Sequence, residues 1–284
     1  SFGLVNELKS ADLNADGIDE IIVAADWQEP IILWNQNGKL ESRPVAKGKN
    51  GWWLHAHLAD LDADGDMDIL WGNWGLNTKF KPDSLSPVRR YVGDIDGNRT
   101  IDPIYTFVNN KGVEKPYALR HDMVKQLNFL SKKFTYYREY REAAITDLFT
   151  QEELNSLHQD QLTYLEHGIS WNEGEGKWNW QPLPRMTQIS PIFSSFTEDF
   201  NDDGKLDILI AGNFDGTKPE EGRYDASYGQ LLLQEENRSF ELVSKQKAGL
   251  ALKGNVRHIM KLDNQLFFVK NNGPMEAYKQ MNTP

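Results

Sequence analysis

Residues 60–73 read DLDADGDMDILWGN. Five of the first nine are aspartates, and an apolar run follows directly. Two carboxylates about 4 Å apart repel by roughly 1 kcal/mol in bulk water and by about 4 kcal/mol at a near-surface dielectric. A loop that gathers so many is stable only when something neutralises them. The stretch recurs three more times, as DLNADGIDEIIVAA from Asp12, DIDGNRTIDPIYTF from Asp94 and DFNDDGKLDILIAG from Asp199. Each copy carries Asp first, Asp or Asn third and fifth, a carboxylate ninth, and then a β-rich run: Ile21–Ala25, Ile69–Trp71, Ile104–Phe107 and Ile208–Ala211. Such short apolar runs predict strands buried on both faces.

The side-chain donors are all oxygens. Carboxylate, amide and carbonyl oxygens in a flexible loop suit Ca²⁺, which takes six to eight of them, better than Mg²⁺ with its strict octahedron. The alternation at positions one, three and five also opens an EF-hand, but position twelve carries Val23, Trp71, Tyr105 and Ile210 where an EF-hand needs a bidentate glutamate. The loops close at position nine instead, with Glu20, Asp68, Asp102 and Asp207, and then enter strands. Position seven (Ile18, Asp66, Thr100, Lys205) is expected to offer its backbone carbonyl, which leaves its side chain free to vary. Gly17, Gly65 and Gly204 at position six predict a turn of positive φ. The Asp94 copy has Arg99 there and Asn98 at position five, so it loses one ligand charge and is expected to be the weakest of up to four calcium sites.

Apolar segments at Trp52–Ala59 and Ile192–Phe196 precede two of the loops. Hairpin signals follow others, such as Tyr105–Val108 with NNKG and Leu231–Leu233 with EENR. Strand, acidic loop, strand, turn, strand is the rhythm of a four-stranded blade, and the chain is long enough for about five or six blades. The fold class expected is therefore an all-β propeller, complete or partial. The loops start 48, 34 and 105 residues apart, so the last interval holds an insertion. Met123, Leu127 and Leu130 fall at helical spacing, and Thr150 with Glu153 forms a capping box. The organisation expected is propeller blades with three acidic loops over 1–119, a helical insertion over 120–158, and blades with the fourth loop over 159–284. The β pattern resumes at Leu162–Trp171, turns at NEGEGK and returns through Trp178–Leu183. The last hairpin, Val256–Leu262 and Leu266–Val269, lacks an acidic loop.

With 31 Lys and Arg against 42 Asp and Glu, the 284-residue chain carries a net charge of −11, which argues against nucleic acid and points to cations as partners. There is no membrane-length apolar segment and no cysteine. A start at Ser1 with no leader suggests a piece of a longer polypeptide.

The four loops, with GNWG after Trp71 and AGNFDG after Ile210, resemble the FG-GAP and VCBS repeats of calcium-binding β-propellers, including integrin α-subunit heads. GNWGLNTKFKP, GDIDGNRTIDPIYTF, LPRMTQISPIF and PEEGRYDASYGQLLL further resemble the C-terminal part of ASPIC/UnbV-associated FG-GAP proteins, typical of Bacteroidetes and usually exported. The resemblance implies that Asp12, Asn14, Asp16 and Glu20, then Asp60, Asp62, Asp64 and Asp68, Asp94, Asp96, Asn98 and Asp102, and Asp199, Asn201, Asp203 and Asp207 hold Ca²⁺. It also implies a location in the periplasm, outer membrane or cell surface of a Gram-negative bacterium.

Other candidates stand beside the loops. His55 and His57 share one side of a strand, as zinc ligands or as residues lining the propeller channel. Among nine tryptophans, Trp52, Trp53, Trp71, Trp74, Trp171, Trp178 and Trp180 serve inter-blade packing or sugar stacking. The long polar loop Lys218–Gly229 offers Glu221, Arg223, Tyr224 and Asp225 as a ligand-binding group or as ion-paired bracing. No Ser-His-Asp arrangement, glycine-rich phosphate loop or HExxH is visible. The expected function is thus an exported calcium-binding module for a glycan or protein partner. An enzyme of polysaccharide metabolism, a lyase or hydrolase working near Arg223 to Asp225, and a purely structural domain remain the alternatives.

Overall fold

A computed structural model describes residues 3–36 and 38–279. They form two compact units, Ser1–Lys79 with Leu165–Pro284, and Phe80–Tyr164. The chain is predominantly antiparallel β.

In the larger unit, β1 (Val5–Ala11), β2 (Glu20–Gln28), β3 (Ile31–Gln36) and β4 (Lys39–Pro44) form a meander, with β5 (Gly51–Trp52) pairing to the far end of β2. The next strands, β6 (His55–Ala59) and β7 (Asp68–Gly72), begin a second sheet that the chain leaves unfinished. It first builds the smaller unit, whose β8 (Val88–Gly93), β9 (Asp102–Val108), β10 (Glu114–Pro116) and β11 (His158–Leu162) make a sheet in the order β10-β9-β8-β11. It then returns with β12 (Gly168–Asn172) and β13 (Trp178–Pro182) to complete the second sheet as β13-β12-β7-β6. A fourth sheet follows with β14 (Ile192–Glu198), β15 (Asp207–Gly212), β16 (Gln230–Gln234) and β17 (Phe240–Leu242), and a fifth with β18 (Asn255–Leu262), β19 (Gln265–Asn271) and β20 (Glu276–Lys279).

This interruption accounts for the long interval between the third and fourth acidic loops. The compact units divide at 80 and 165, and the helices, which run between Arg120 and Ser156, belong to the smaller one. Buried Met123, Leu127, Leu130, Phe134, Tyr140, Ile145, Leu148 and Leu154 pack onto Tyr91 of β8 and Ile104 of β9. The helices are short: α1 (Arg120–Gln126), α2 (Leu130–Lys133), α3 (Tyr137–Glu142), α4 (Ile145–Leu148) and α5 (Gln151–Ser156). Only α5 has the predicted capping box in full: Thr150 Oγ1 accepts from the N–H of Glu153 at 3.2 Å, and Glu153 Oε2 accepts from the N–H of Thr150 at 2.7 Å. The stretch 162–171 is not one strand. It divides between β11 and β12, which belong to different sheets.

The central strands of the larger unit are buried along nearly their whole length, as their apolar runs predict. On β15, Ile208 and Ile210 pack with Leu70, Ile169 and Trp171 of the second sheet, whereas Leu209 and Ala211 pack with Val256, Ile259 and Phe268 of the fifth. Alternate side chains thus meet different sheets, which is why no polar residue interrupts the run. Strand β9 departs from the expectation of two buried faces. Ile104 and Thr106 point inward, while Tyr105 is exposed, because the helices cover one face of this sheet. In the larger unit the first strands of successive sheets lie side by side, β1 against β6, β6 against β14, and β14 against β18.

Candidate metal centres

All four acidic loops fold alike, and each places its ninth residue as the first of a central strand: Glu20 on β2, Asp68 on β7, Asp102 on β9 and Asp207 on β15. These four carboxylates are buried. Each accepts the backbone N–H of the loop's second residue, from Leu13 to Glu20 at 2.9 Å, Leu61 to Asp68 at 3.0 Å, Ile95 to Asp102 at 3.3 Å and Phe200 to Asp207 at 2.8 Å. The first aspartate folds the loop over itself. Asp12, Asp60 and Asp199 each accept from the N–H groups of positions five and six, and Asp94 accepts from Arg99. The fifth residue in turn accepts from the N–H of position seven: Asp16 from Ile18, Asp64 from Asp66, Asn98 from Thr100 and Asp203 from Lys205.

With the backbone N–H groups consumed within the loop, carboxylate oxygens are left to converge. Position six takes positive φ in every copy, including Arg99 at 68°. A second left-handed residue sits at position four, as Ala15, Ala63, Gly97 and Asp202. That feature has little sequence signal, since alanine, glycine and aspartate all occupy the position. The Asp94 copy moves its glycine to position four and accepts the strain at Arg99, a residue type that avoids this region.

Carboxylate oxygens of Asp60, Asp62 and Asp68 lie within 4.8 Å of one another, as do those of Asp94, Asp96 and Asp102. The two remaining loops have an amide at position three, and Asn14 and Asn201 each donate to the fifth aspartate at 3.1 Å. Burial, with the nearby charges of Asp62 and Asp64, pushes Asp68 up to about 7 against the opposing N–H bonds of Asn172 and Leu61. Burial also raises Asp207. Such carboxylates resist ionisation unless a cation joins them.

Within the acidic loops two buried oxygens have no hydrogen-bond partner, Glu20 Oε1 and Asp62 Oδ1; Glu198 Oε2 and Gln234 Oε1 share that state elsewhere among the described residues. The loop orphans, among hard oxygen donors, fit a cation of the calcium type. Arg238, in the β16–β17 turn, supplies part of the charge at the second loop. Its Nε and Nη2 reach Asp62 Oδ2 at 2.7 and 2.6 Å, another nitrogen pairs with Glu173, and the guanidinium covers the Trp171 ring. Beside the first loop lies a cleft of about 540 Å³, lined by Asn14, Asp16, Glu20, Trp34 and Arg43 among others.

Residues 12–71 match the FG-GAP-like repeat. The matched segment contains the first two acidic loops and stops within β7. No curated protein matches the chain in sequence. Among solved structures, one titled as the structural basis of recognition of non-reducing terminal N-acetylglucosamine by an Agrocybe aegerita lectin is similar at 13% identity. The match covers 96% of this chain and 80% of that one, with a TM-score of 0.20, too low to bear on fold or ligand. Among the described residues no helix is long and apolar enough to cross a membrane.

The other candidates resolve differently. Tyr224 is buried: its hydroxyl lies 3.0 Å from Thr78 Oγ1, its ring meets Trp74 edge-on, and its backbone pairs with Phe214. Its neighbours Arg223 and Asp225 face solvent, and Glu221 is half-buried. The loop therefore does not gather these four side chains into one group. Trp53, Trp71 and Trp171 are fully buried, whereas Trp52, Trp74, Trp178 and Trp180 are partly exposed. Trp52 and Trp74 belong to an edge-to-face row that runs from Trp27 to Phe214, near the strand ends opposite the acidic loops. His55 and His57 do not converge on a metal. The ring nitrogens of His55 meet Glu7 and Ser195, and His57 Nε2 meets Thr197 Oγ1 at 3.0 Å.

Proposed function

We propose that this chain is a calcium-stabilised β-propeller module of a longer, exported protein, and that it binds a glycan or protein partner. FG-GAP repeats suggest a binding or structural module, and residues 12–71 match that repeat. The observation that carries the calcium reading is the recessed ninth carboxylate at the root of every loop, with unsatisfied buried oxygens at Glu20 and Asp62. Asp12, Asp16 and Glu20, Asp60, Asp62, Asp64 and Asp68, Asp94, Asp96 and Asp102, and Asp199, Asp203 and Asp207 supply the carboxylates. The carbonyls of Ile18, Asp66, Thr100 and Lys205 complete the sets. Side-by-side first strands in the larger unit support the propeller reading. The cleft over the first loop, with its Trp34 and Arg43 wall, is the partner site favoured here, because a sugar hydroxyl or peptide carboxylate entering it approaches the metal loop directly.

Isothermal titration with CaCl₂ tests the metal reading. Heat with two or more ions per chain is expected, and a silent titration overturns it. A glycan array probed in calcium and again in EGTA tests the partner site. Calcium-dependent binding that is lost in Arg43→Ala supports the first-loop cleft.

A further inference from the structure

Three strands of the larger unit bring together Glu7 of β1, His55 of β6 and Ser195 of β14. His55 Nδ1 lies 2.7 Å from Glu7 Oε2, and His55 Nε2 lies 2.9 Å from Ser195 Oγ. Glu7 Oε2 also accepts the N–H of Ala56 at 2.8 Å, and Lys9 sits 3.0 Å from Glu7 Oε1, so the carboxylate is held from both sides. Burial raises the Glu7 carboxyl, but the bond and charge of His55, the Ala56 N–H and Lys9 outweigh it and bring it down to about 2. Glu7 is therefore an acceptor, and His55 Nδ1 must donate to it. In the neutral ring the other nitrogen then carries the lone pair, and Ser195 O–H donates to it. A hydroxyl bonded to an imidazole that a carboxylate orients is the arrangement of an activated nucleophile, recognised by geometry whatever the chain order.

We infer that Ser195, with His55 as general base and Glu7 as its positioning residue, is a nucleophile toward esters of small carboxylic acids. Ser195 retains 5% of its surface, while the Glu7 and Lys9 side chains are 24% and 40% exposed, so solvent reaches the carboxylate end of the three-residue chain more freely than the hydroxyl end. So low an exposure favours a small acyl group at the hydroxyl. In the reaction Ser195 Oγ bonds to the acyl carbon and its proton passes to His55 Nε2. The bond to the alcohol oxygen breaks and that oxygen takes the proton from His55. Water, deprotonated by His55, then releases the acid and restores the serine. No metal takes part, so the inference stands apart from the calcium reading.

p-Nitrophenyl acetate is the probe. Wild-type protein is expected to release p-nitrophenolate and, after acid quench, to carry an acetyl group on the peptide containing Ser195. His55→Gln should slow acetylation by about 10²-fold or more. Glu7→Gln should lower the acetylation rate constant and leave the KM for the probe unchanged, because the ring loses the carboxylate that orients its Nδ1. The charged and titratable groups that face His55 are Glu7 and Lys9 on β1 and His57 on β6. Absence of acetyl on the Ser195 peptide of wild-type protein overturns the inference, as does an equal rate in His55→Gln. The wild-type peptide map decides the question even where a variant fails to fold.

Discussion

At the scale of the residue, buried polar groups set the pH behaviour. His167 is fully buried, accepts the N–H of Asn73 on Nδ1 and donates from Nε2 to the carbonyl of Ser190. Burial brings it down to about 3, and burial with the charges of His55 and Lys9 brings His57 down to about 4. Both rings stay neutral in the folded protein at pH values where the unfolded chain, near 6.5, takes up protons. The unfolded state then binds more protons, so this contribution to stability is complete above about pH 6.5 and is lost as pH falls toward 4 and then 3. Glu7 acts in the same direction over a lower window, from about 4.5 down to about 2. The imidazole resonances of His57 and His167 should therefore show no titration between pH 8 and 5. Titration near pH 6.5 would contradict the burial of His167 and the desolvation of half-buried His57. The individual acidic residues were legible in the sequence because every donor of a loop lies within nine positions. Glu7, His55 and Ser195 were not, since 48 and 140 residues separate the bonded pairs and no spacing rule joins them.

At the scale of the element, the strands are held by tight approaches that small residues permit. A Cβ on Gly212, at the end of β15, would lie 1.8 Å from the carbonyl oxygen of Pro191, which is backbone and cannot rotate aside. Gly212→Ala should lower the urea midpoint well beyond an ordinary surface change, and an unchanged midpoint would mean that β14 and β15 separate more easily than their pairing implies. In the smaller unit, Thr150→Ala removes the side-chain acceptor at the start of α5 and should cost about 0.5–2 kcal/mol in the same measurement. The central strands and the α5 cap were readable because apolar runs and capping boxes are local signals. The one-sided burial of β9 was not, because it depends on helices that arrive later in the chain and cover one face of its sheet.

At the scale of the whole molecule, repetition was plain and connectivity was not. The uneven spacing of the acidic loops announced an insertion, but only the pairing of β12 with β7 shows that a complete sheet with its own acidic loop interrupts another sheet. Sequence separation between paired strands carries no signature in either strand. The acidic loops also shape the electrostatics of the entire chain, since four divalent ions would offset eight of its eleven net negative charges. Ions bound by the folded state alone stabilise it by mass action, and the raised carboxyl of Asp68 marks how unfavourable the bare loop is. Asp68→Asn should remove one ion from the titration stoichiometry and shrink the calcium-induced stabilisation without abolishing it. The most direct measurement is the thermal melt of this chain in millimolar calcium and in EGTA at constant ionic strength. A melting temperature several degrees higher in calcium is the expected result, and superimposable melts would contradict the claim that the acidic loops are built around a cation.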